Sequence, residues 1–351
     1  MDQPKVTKKG RAQTILVSLA CIVIIIAGMR AAQSIIIPFL LSIFIATISN
    51  PLVLFLQKKH LPKSLSVFFV FLIMVGFGFG ITTLLSNSLN EFSSNFPNYQ
   101  ILLKNYAENF FSFLEQNGIS VSGKIILEQL DPGSLVSLTS GVLSGLGNVL
   151  TKTLLIILMV VFMLMESKIF KQKLKLIFGG TGGRNDQLKS FSNTVKRYML
   201  IKTAISLTTG ALATLWLIIL DINYPFLWGF LTFLLNYIPT IGSNIAAVPP
   251  MLMALIQFDL ITLLFVTLGY LVINNLLGSF LEPRILGKGL GLSTLVVFLS
   301  LLFWGWLFGP IGMILCIPIT TIIKIAFANT KNTRWVSTLL EASASPPLEN
   351  N

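Results

Sequence analysis

Long apolar segments alternate with short polar breaks along most of the chain. They fall at about 14–29, 33–56, 64–88, 148–166, 200–220, 224–238, 243–258, 260–281, 293–308 and 311–327. A helix needs about 20 apolar residues to cross a bilayer. Several of the later segments reach only about fifteen, near 23 Å as helix, which suits tilted spans or re-entrant halves. Between 89 and 147 the pattern becomes amphipathic. Phe92, Phe96, Tyr99, Leu103 and Tyr106 recur at steps of three and four, and Phe110, Phe113 and Leu114 continue the face. Gly118, Pro132-Gly133 and Gly141–Gly145 interrupt it. Either a small helical subdomain lying on the membrane or a helical hairpin joining two spans would give this pattern.

The most informative break is Asn236-Tyr-Ile-Pro-Thr-Ile-Gly-Ser-Asn-Ile-Ala-Ala-Val-Pro-Pro250. Pro239, Pro249 and Pro250 lack a backbone donor and Gly242 adds freedom, so a continuous helix is not expected here. Broken backbone at membrane depth survives only where protein buries it or water reaches it. Paired half-helices of this kind mark transport sites. Asn236, Tyr237, Thr240, Ser243 and Asn244 place amides and hydroxyls beside the freed backbone, suited to a neutral polar solute. A tight turn that satisfies its own polar groups is the plain alternative.

Two further clusters follow. Asn274-Asn275 sits within an apolar segment, costly unless paired across helices. Glu282-Pro283-Arg284 comes next, then Gly287, Gly289 and Gly291. Pro283 predicts the end of the helix. The loop reads equally as a gating hinge or as an ordinary turn with a local ion pair. Farther on, Gly309-Pro310 breaks an apolar segment at mid-depth, with Gly305 and Gly312 beside it and Pro318 beyond. Nothing polar surrounds that break, so a packing kink is the simpler reading. The pairs 224–238 with 243–258, and 293–308 with 311–327, are both candidates for a re-entrant hairpin.

Composition agrees with a polytopic membrane protein: 54% of the 351 residues are hydrophobic and 11% charged, against about 25% charged in soluble domains. The net charge of +12 could suggest nucleic acid, but its distribution points to the bilayer instead. Nine basic residues lie between Lys168 and Lys202, opposed by Asp186 alone, and more cluster at the N-terminus and at Lys58, Lys59 and Lys63. Glu91 to Gly147 carries five acids against two lysines. This is the positive-inside pattern, with both termini cytoplasmic and the acidic region outside. Eight spans with one re-entrant pair, or ten short spans, satisfy it; eight is the reading adopted. The basic N-terminus followed by an apolar run lacks a small-residue cleavage site and reads as a retained first span.

Catalytic chemistry is sparse. The single histidine, His60, lies in a loop without a nearby carboxylate or cysteine cluster, so neither a metal site nor a nucleophilic triad is expected. Gly179-Gly180-Thr181-Gly182-Gly183-Arg184 lacks the Lys-Ser/Thr ending of a phosphate loop and reads as a flexible turn. No cofactor is expected, and no enzyme. Cys21 and Cys316 fall in apolar stretches and imply no disulfide.

Three stretches in this order resemble the autoinducer-2 exporter (AI-2E) family of bacterial multipass proteins. They are Asn236-Tyr-Ile-Pro-Thr-Ile-Gly with Pro249-Pro250; Glu282-Pro-Arg-Ile-Leu-Gly-Lys-Gly-Leu-Gly-Leu-Ser293; and Phe308-Gly-Pro-Ile-Gly with Ile317-Pro318. The resemblance covers about 12–330. Thr240 departs from it, since an aromatic residue is common after that proline. It implies a permease-like protein of the inner membrane; some relatives export autoinducer-2 and others resemble sodium or lithium/proton antiporters.

The expected fold is an all-α integral membrane protein of about eight transmembrane helices. Residues 1–88 hold the basic N-terminus and three spans, 89–147 the extracytoplasmic helical region, and 148–199 the fourth span and basic loop. The broken-helix transport half covers 200–330 and the tail 331–351. The expected partners are the lipid bilayer and a small polar solute or monovalent cation; a homo-oligomer is compatible with the chain. Asn236, Tyr237, Pro239, Gly242, Asn244, Pro249, Pro250, Asn274 and Asn275 are the candidate substrate path. Glu282, Pro283, Arg284, Gly287, Gly309 and Pro310 are the candidates for gating or coupling. Export of a polar solute leads; a cation/proton antiporter using Glu282 and a non-transporting scaffold are the alternatives.

Overall fold

The computed structural model describes residues 8–117, 153–178, 184–239, 241–286, 292–328 and 333–341. The glycine turn at 179–183, Thr240, Gly287, Gly289, Gly291 and the expected breaks between Gly118 and Gly145 lie outside them. The described chain is helical, apart from short turns and one isolated bridge between Leu292 and Glu341. The helices are α1 (Lys8–Ala31), α2 (Gln33–Lys58), α3 (Lys63–Gln116), α4 (Thr153–Phe178), α5 (Arg184–Ile219), α6 (Pro225–Leu235) and α7 (Gly242–Gln257). Next come α8 (Leu260–Asn274), which runs through a π-helical segment (Asn275–Leu281) into α9 (Glu282–Leu286), then α10 (Thr294–Ala328) and α11 (Arg334–Leu339). Among the described residues, five continuous helical runs are long and apolar enough to cross a membrane by length and composition, the last two being α8 through α9 and the kinked α10, and three shorter apolar helices accompany them. The chain is an all-α multipass membrane protein.

The main core joins α5, α6, α7, α8 and α10 around Leu217, Trp228, Met253, Val266, Tyr270 and Leu307. A smaller core joins α2, α3 and α4 through Val53, Val67, Val70 and Val160. Most other large apolar side chains face outward, as a bilayer requires.

Three local expectations are corrected. Helix α3 does not end near 88 but continues to Gln116, about 80 Å in all. Only Pro97 interrupts its backbone donors, and its distal half is held by packing. Phe92 meets Trp228 edge-on at 5.4 Å between centroids and Tyr224 at 6.1 Å. The Tyr99 and Tyr224 hydroxyls lie 3.3 Å apart.

The second correction concerns 236–250, where the break is confined to 236–241. Helix α7 starts at Gly242 and carries Pro249 and Pro250 inside it, both buried. Membrane helices tolerate proline where neighbours enclose the freed carbonyls. Third, Pro283 does not end its helix. The Glu282 amide donates to the Leu277 carbonyl five residues back, and the wider π turn relieves the clash and missing donor that Pro283 would bring to a regular α turn.

Both proposed re-entrant pairs fold back. Helix α6 has 11 residues, about 16 Å, too short to span. It turns through 236–241 into α7, and the two pack together. Gly242 permits this turn, because a Cβ there would collide with the Leu235 carbonyl oxygen. In α10 the chain reverses at Gly309 (φ 66°, ψ −151°). Trp304 Nε1 donates to Thr320 Oγ1 at 2.9 Å, although sixteen residues of straight helix would separate them by about 24 Å. Pro310 opens the second half, a position where its missing donor costs nothing.

Candidate functional site

The turn between α6 and α7 and the π-helical segment after α8 face one another across a cavity of about 610 Å³. Each wall carries amide, hydroxyl or carboxylate side chains at or beside the irregular backbone. On one side stand Asn236, Pro239, Ser243 and Asn244; on the other, Asn274, Asn275, Ser279, Glu282 and Pro283. Tyr198 and Lys202 of α5 close the cavity. Two stretches separated by more than twenty residues of sequence therefore share one chamber.

The hydrogen bonds divide these groups by role. Asn236 is buried and its amide donates to Ser206 Oγ at 2.9 Å, fixing the end of α6 to α5. Asn274 Nδ2 donates to Asn244 Oδ1 at 3.0 Å, so one asparagine of the pair is matched across helices. Asn275 instead donates to the Leu271 carbonyl at 2.8 Å, within its own helix. The buried Asn274 Oδ1 accepts no hydrogen bond from protein.

Lys202 and Glu282 form the strongest polar contact. The ammonium donates to both carboxylate oxygens at 2.8 Å. The two side chains are only 6% and 17% exposed, so the pair is shielded and water screens it little. Among the described residues no other charged side chain lines the cavity, so their wall is polar and formally neutral. The local Glu282–Arg284 pair of the ordinary-turn alternative does not form. Arg284 lies over the Phe280 ring at 3.6 Å.

Of the residues singled out from sequence, Asn236, Pro239, Asn244, Asn274, Asn275, Glu282 and Pro283 line the cavity. Tyr237 does not; it is buried against Phe44 and Phe233, and its hydroxyl donates to Thr203 Oγ1 at 2.8 Å. Gly242 shapes the turn, and Pro249 and Pro250 lie deeper in α7. Gly309 and Pro310 form the reversal of α10 rather than a wall of the chamber. Gly287 is outside the described residues.

Sequence reasoning missed Lys202 by treating it as the last member of a basic cluster. The signal was its placement inside the apolar segment that begins at 200, where a lone cation needs a partner. A second cavity, about 450 Å³ between α3, α5 and α6, is lined by apolar side chains and Thr214, whose hydroxyl donates to the Gly210 carbonyl. It offers little for a polar solute. No cluster of three metal-binding side chains occurs among the described residues.

Comparison with known proteins matches the model of the AI-2E family transporter over residues 19–332. The AI-2 transport protein TqsA of Escherichia coli (strain K12) is 39% identical over 97% of this chain and 98% of its own length. A "Putative transport protein" of Haemophilus influenzae is 35% identical over 93% of this chain and 95% of its own. The "Putative transport protein YhhT" of Escherichia coli (strain K12) is 34% identical over 97% of each chain.

Proposed function

The chain belongs to the AI-2E transporter family, and from that premise we propose that it moves a small, uncharged, polar solute through the chamber between the α6–α7 turn and the π-helical segment. The observation that carries this reading is the chamber's chemistry. It holds amides, hydroxyls and one internally neutralised ion pair, which supplies hydrogen bonds without a net charge. The exposed Asn275 and Ser279 side chains in the wall offer polar groups to a solute hydroxyl. Autoinducer-2 is the first candidate because a relative's name specifies AI-2 transport. The setting is the inner membrane, with both termini cytoplasmic by the positive-inside pattern.

The test is reconstitution of the purified full chain into liposomes, with labelled autoinducer-2 and sodium fluxes measured side by side. The expected result is autoinducer-2 flux, reduced by Asn244→Ala and by Asn274→Ala at equal protein level. Unchanged flux in both variants removes the chamber as the path.

A second reading, sodium or lithium/proton antiport, is favoured by the carboxylate in the chamber wall. There Glu282 would exchange a cation for a proton, and Glu282→Gln would abolish sodium flux linked to pH. The Lys202 ammonium on both oxygens weighs against it, since a cation must first displace that partner. A non-transporting scaffold calls for a packed 236–250 with no chamber beside it, unlike the arrangement here.

A further inference from the structure

We infer that the Lys202–Glu282 pair is the charge filter of this chamber: it holds the path at zero net charge and so excludes anions and cations while admitting neutral polar solutes. The inference rests on the reading of the chamber as the solute path. Three observations carry it. First, among the described residues these are the two charged side chains in the wall, the rest being amides, hydroxyls and apolar groups. Second, both carboxylate oxygens engage one ammonium, so the pair presents a compact dipole rather than two separated charges. Third, the partners come from different elements, α5 and the junction of the π-helical segment with α9. Each keeps the other neutralised only while those elements stay docked.

Low exposure makes the filter effective. A charged solute entering beside an intact pair gains no net attraction and sheds its hydration shell. Neutralising one partner leaves the other as an unopposed charge at short range in a shielded site, where its field is far stronger than in water. Glu282→Gln then makes the chamber +1 and Lys202→Met makes it −1. A pair that merely ties two helices together predicts something different. Its single variants would lose folded protein, but with no change of opposite sign in the two cases.

Thiol chemistry reads this potential without requiring transport. In a Cys21→Ser, Cys316→Ala background, Ser279→Cys places one thiol in the wall. Full-length protein in liposomes is treated with methanethiosulfonates bearing a trimethylammonium, a sulfonate or a neutral hydroxyl group. With the pair intact, the cationic and anionic reagents should react in the ratio found for free cysteine. Glu282→Gln should shift that ratio about tenfold toward the anionic reagent, and Lys202→Met about tenfold toward the cationic one, as expected of one nearby charge at intermediate dielectric. The double variant should restore the parental ratio. Asn275→Asp adds a charge at an exposed wall position with the pair intact. It should also shift the ratio toward the cationic reagent, and it serves where a broken pair prevents folding. A ratio indifferent to these changes, a double variant that does not return, or a thiol inert to all three reagents at both Ser279 and Ser243 overturns the inference. Shifts of the expected sign in a protein that carries no autoinducer-2 sink the substrate assignment alone.

Discussion

Replacement of Gly309 by alanine isolates the cost of the reversal in α10. The backbone there has φ 66° and ψ −151°, a region open to glycine and costly to any residue with a Cβ. A Cβ at Gly309 would meet nothing within 4 Å, so the penalty is torsional and not steric. Strain of this kind costs about 1–3 kcal/mol, enough to lower Tm by several degrees for a domain of ordinary size. Asparagine relieves left-handed helical positions, but ψ −151° lies outside that region, so Gly309→Asn should be no better than Gly309→Ala. The control is Gly78→Ala in α3, where the Cβ also meets nothing and the helical backbone gains about 0.5–1 kcal/mol. Thermal unfolding of the purified variants in one detergent compares them. Loss of the Trp304–Thr320 contact, seen as a red shift of tryptophan emission, would report opening of the hairpin. If Gly309→Ala melts at the wild-type temperature with unchanged emission, the reversal does not depend on glycine torsion and the reasoning fails.

Three other outcomes follow from the same geometry. Gly242→Val should open the α6–α7 turn, because its Cβ would strike the Leu235 carbonyl; loss of Asn244→Cys/Asn274→Cys disulfide crosslinking in that variant would show it. Asn236→Ala should leave the buried Ser206 hydroxyl without its donor and destabilise the protein by about 1–3 kcal/mol, whereas Asn236→Gln, which keeps an amide donor, should recover part of the loss in a thermal melt. The Thr262 amide and hydroxyl both donate to Asp259 at 2.8 Å and hold its carboxyl below the usual value. That depressed value means the cap is fully present above the ordinary carboxylate pKa near pH 4 and is lost as pH falls through the lowered one. Protection from amide exchange at the start of α8, taken relative to the intrinsic rate at each pH, should therefore fall in acid, and Asp259→Asn should flatten that dependence.

The chamber illustrates how far sequence reading reaches. Proline, asparagine and glycine in apolar surroundings flagged both walls, since such residues are expensive at membrane depth unless something uses or buries them. The same logic overreached at Pro249 and Pro250. Local rules treat a proline as a break, but enclosure by neighbouring helices makes it tolerable. It overreached again at Tyr237, whose hydroxyl satisfies Thr203 in the core. Lys202 was hidden for the opposite reason. Lying at the end of a basic run, it looked like a topology signal, and only the fold sets it opposite Glu282, eighty residues on.

Hydropathy and charge by themselves determined that this chain is helical, crosses a membrane repeatedly and breaks its helices in the C-terminal half. A bilayer permits few other ways to satisfy the polar groups of the backbone. Which broken pieces meet was decided by tertiary packing. The turn at 236–241 and the π-helical segment at 275–281 become one chamber because α7 packs against both α6 and α8. The neutrality of that chamber is likewise tertiary. A lysine and a glutamate far apart in sequence cancel only when folding brings them to 2.8 Å, since charge interactions depend on distance in space rather than separation along the chain.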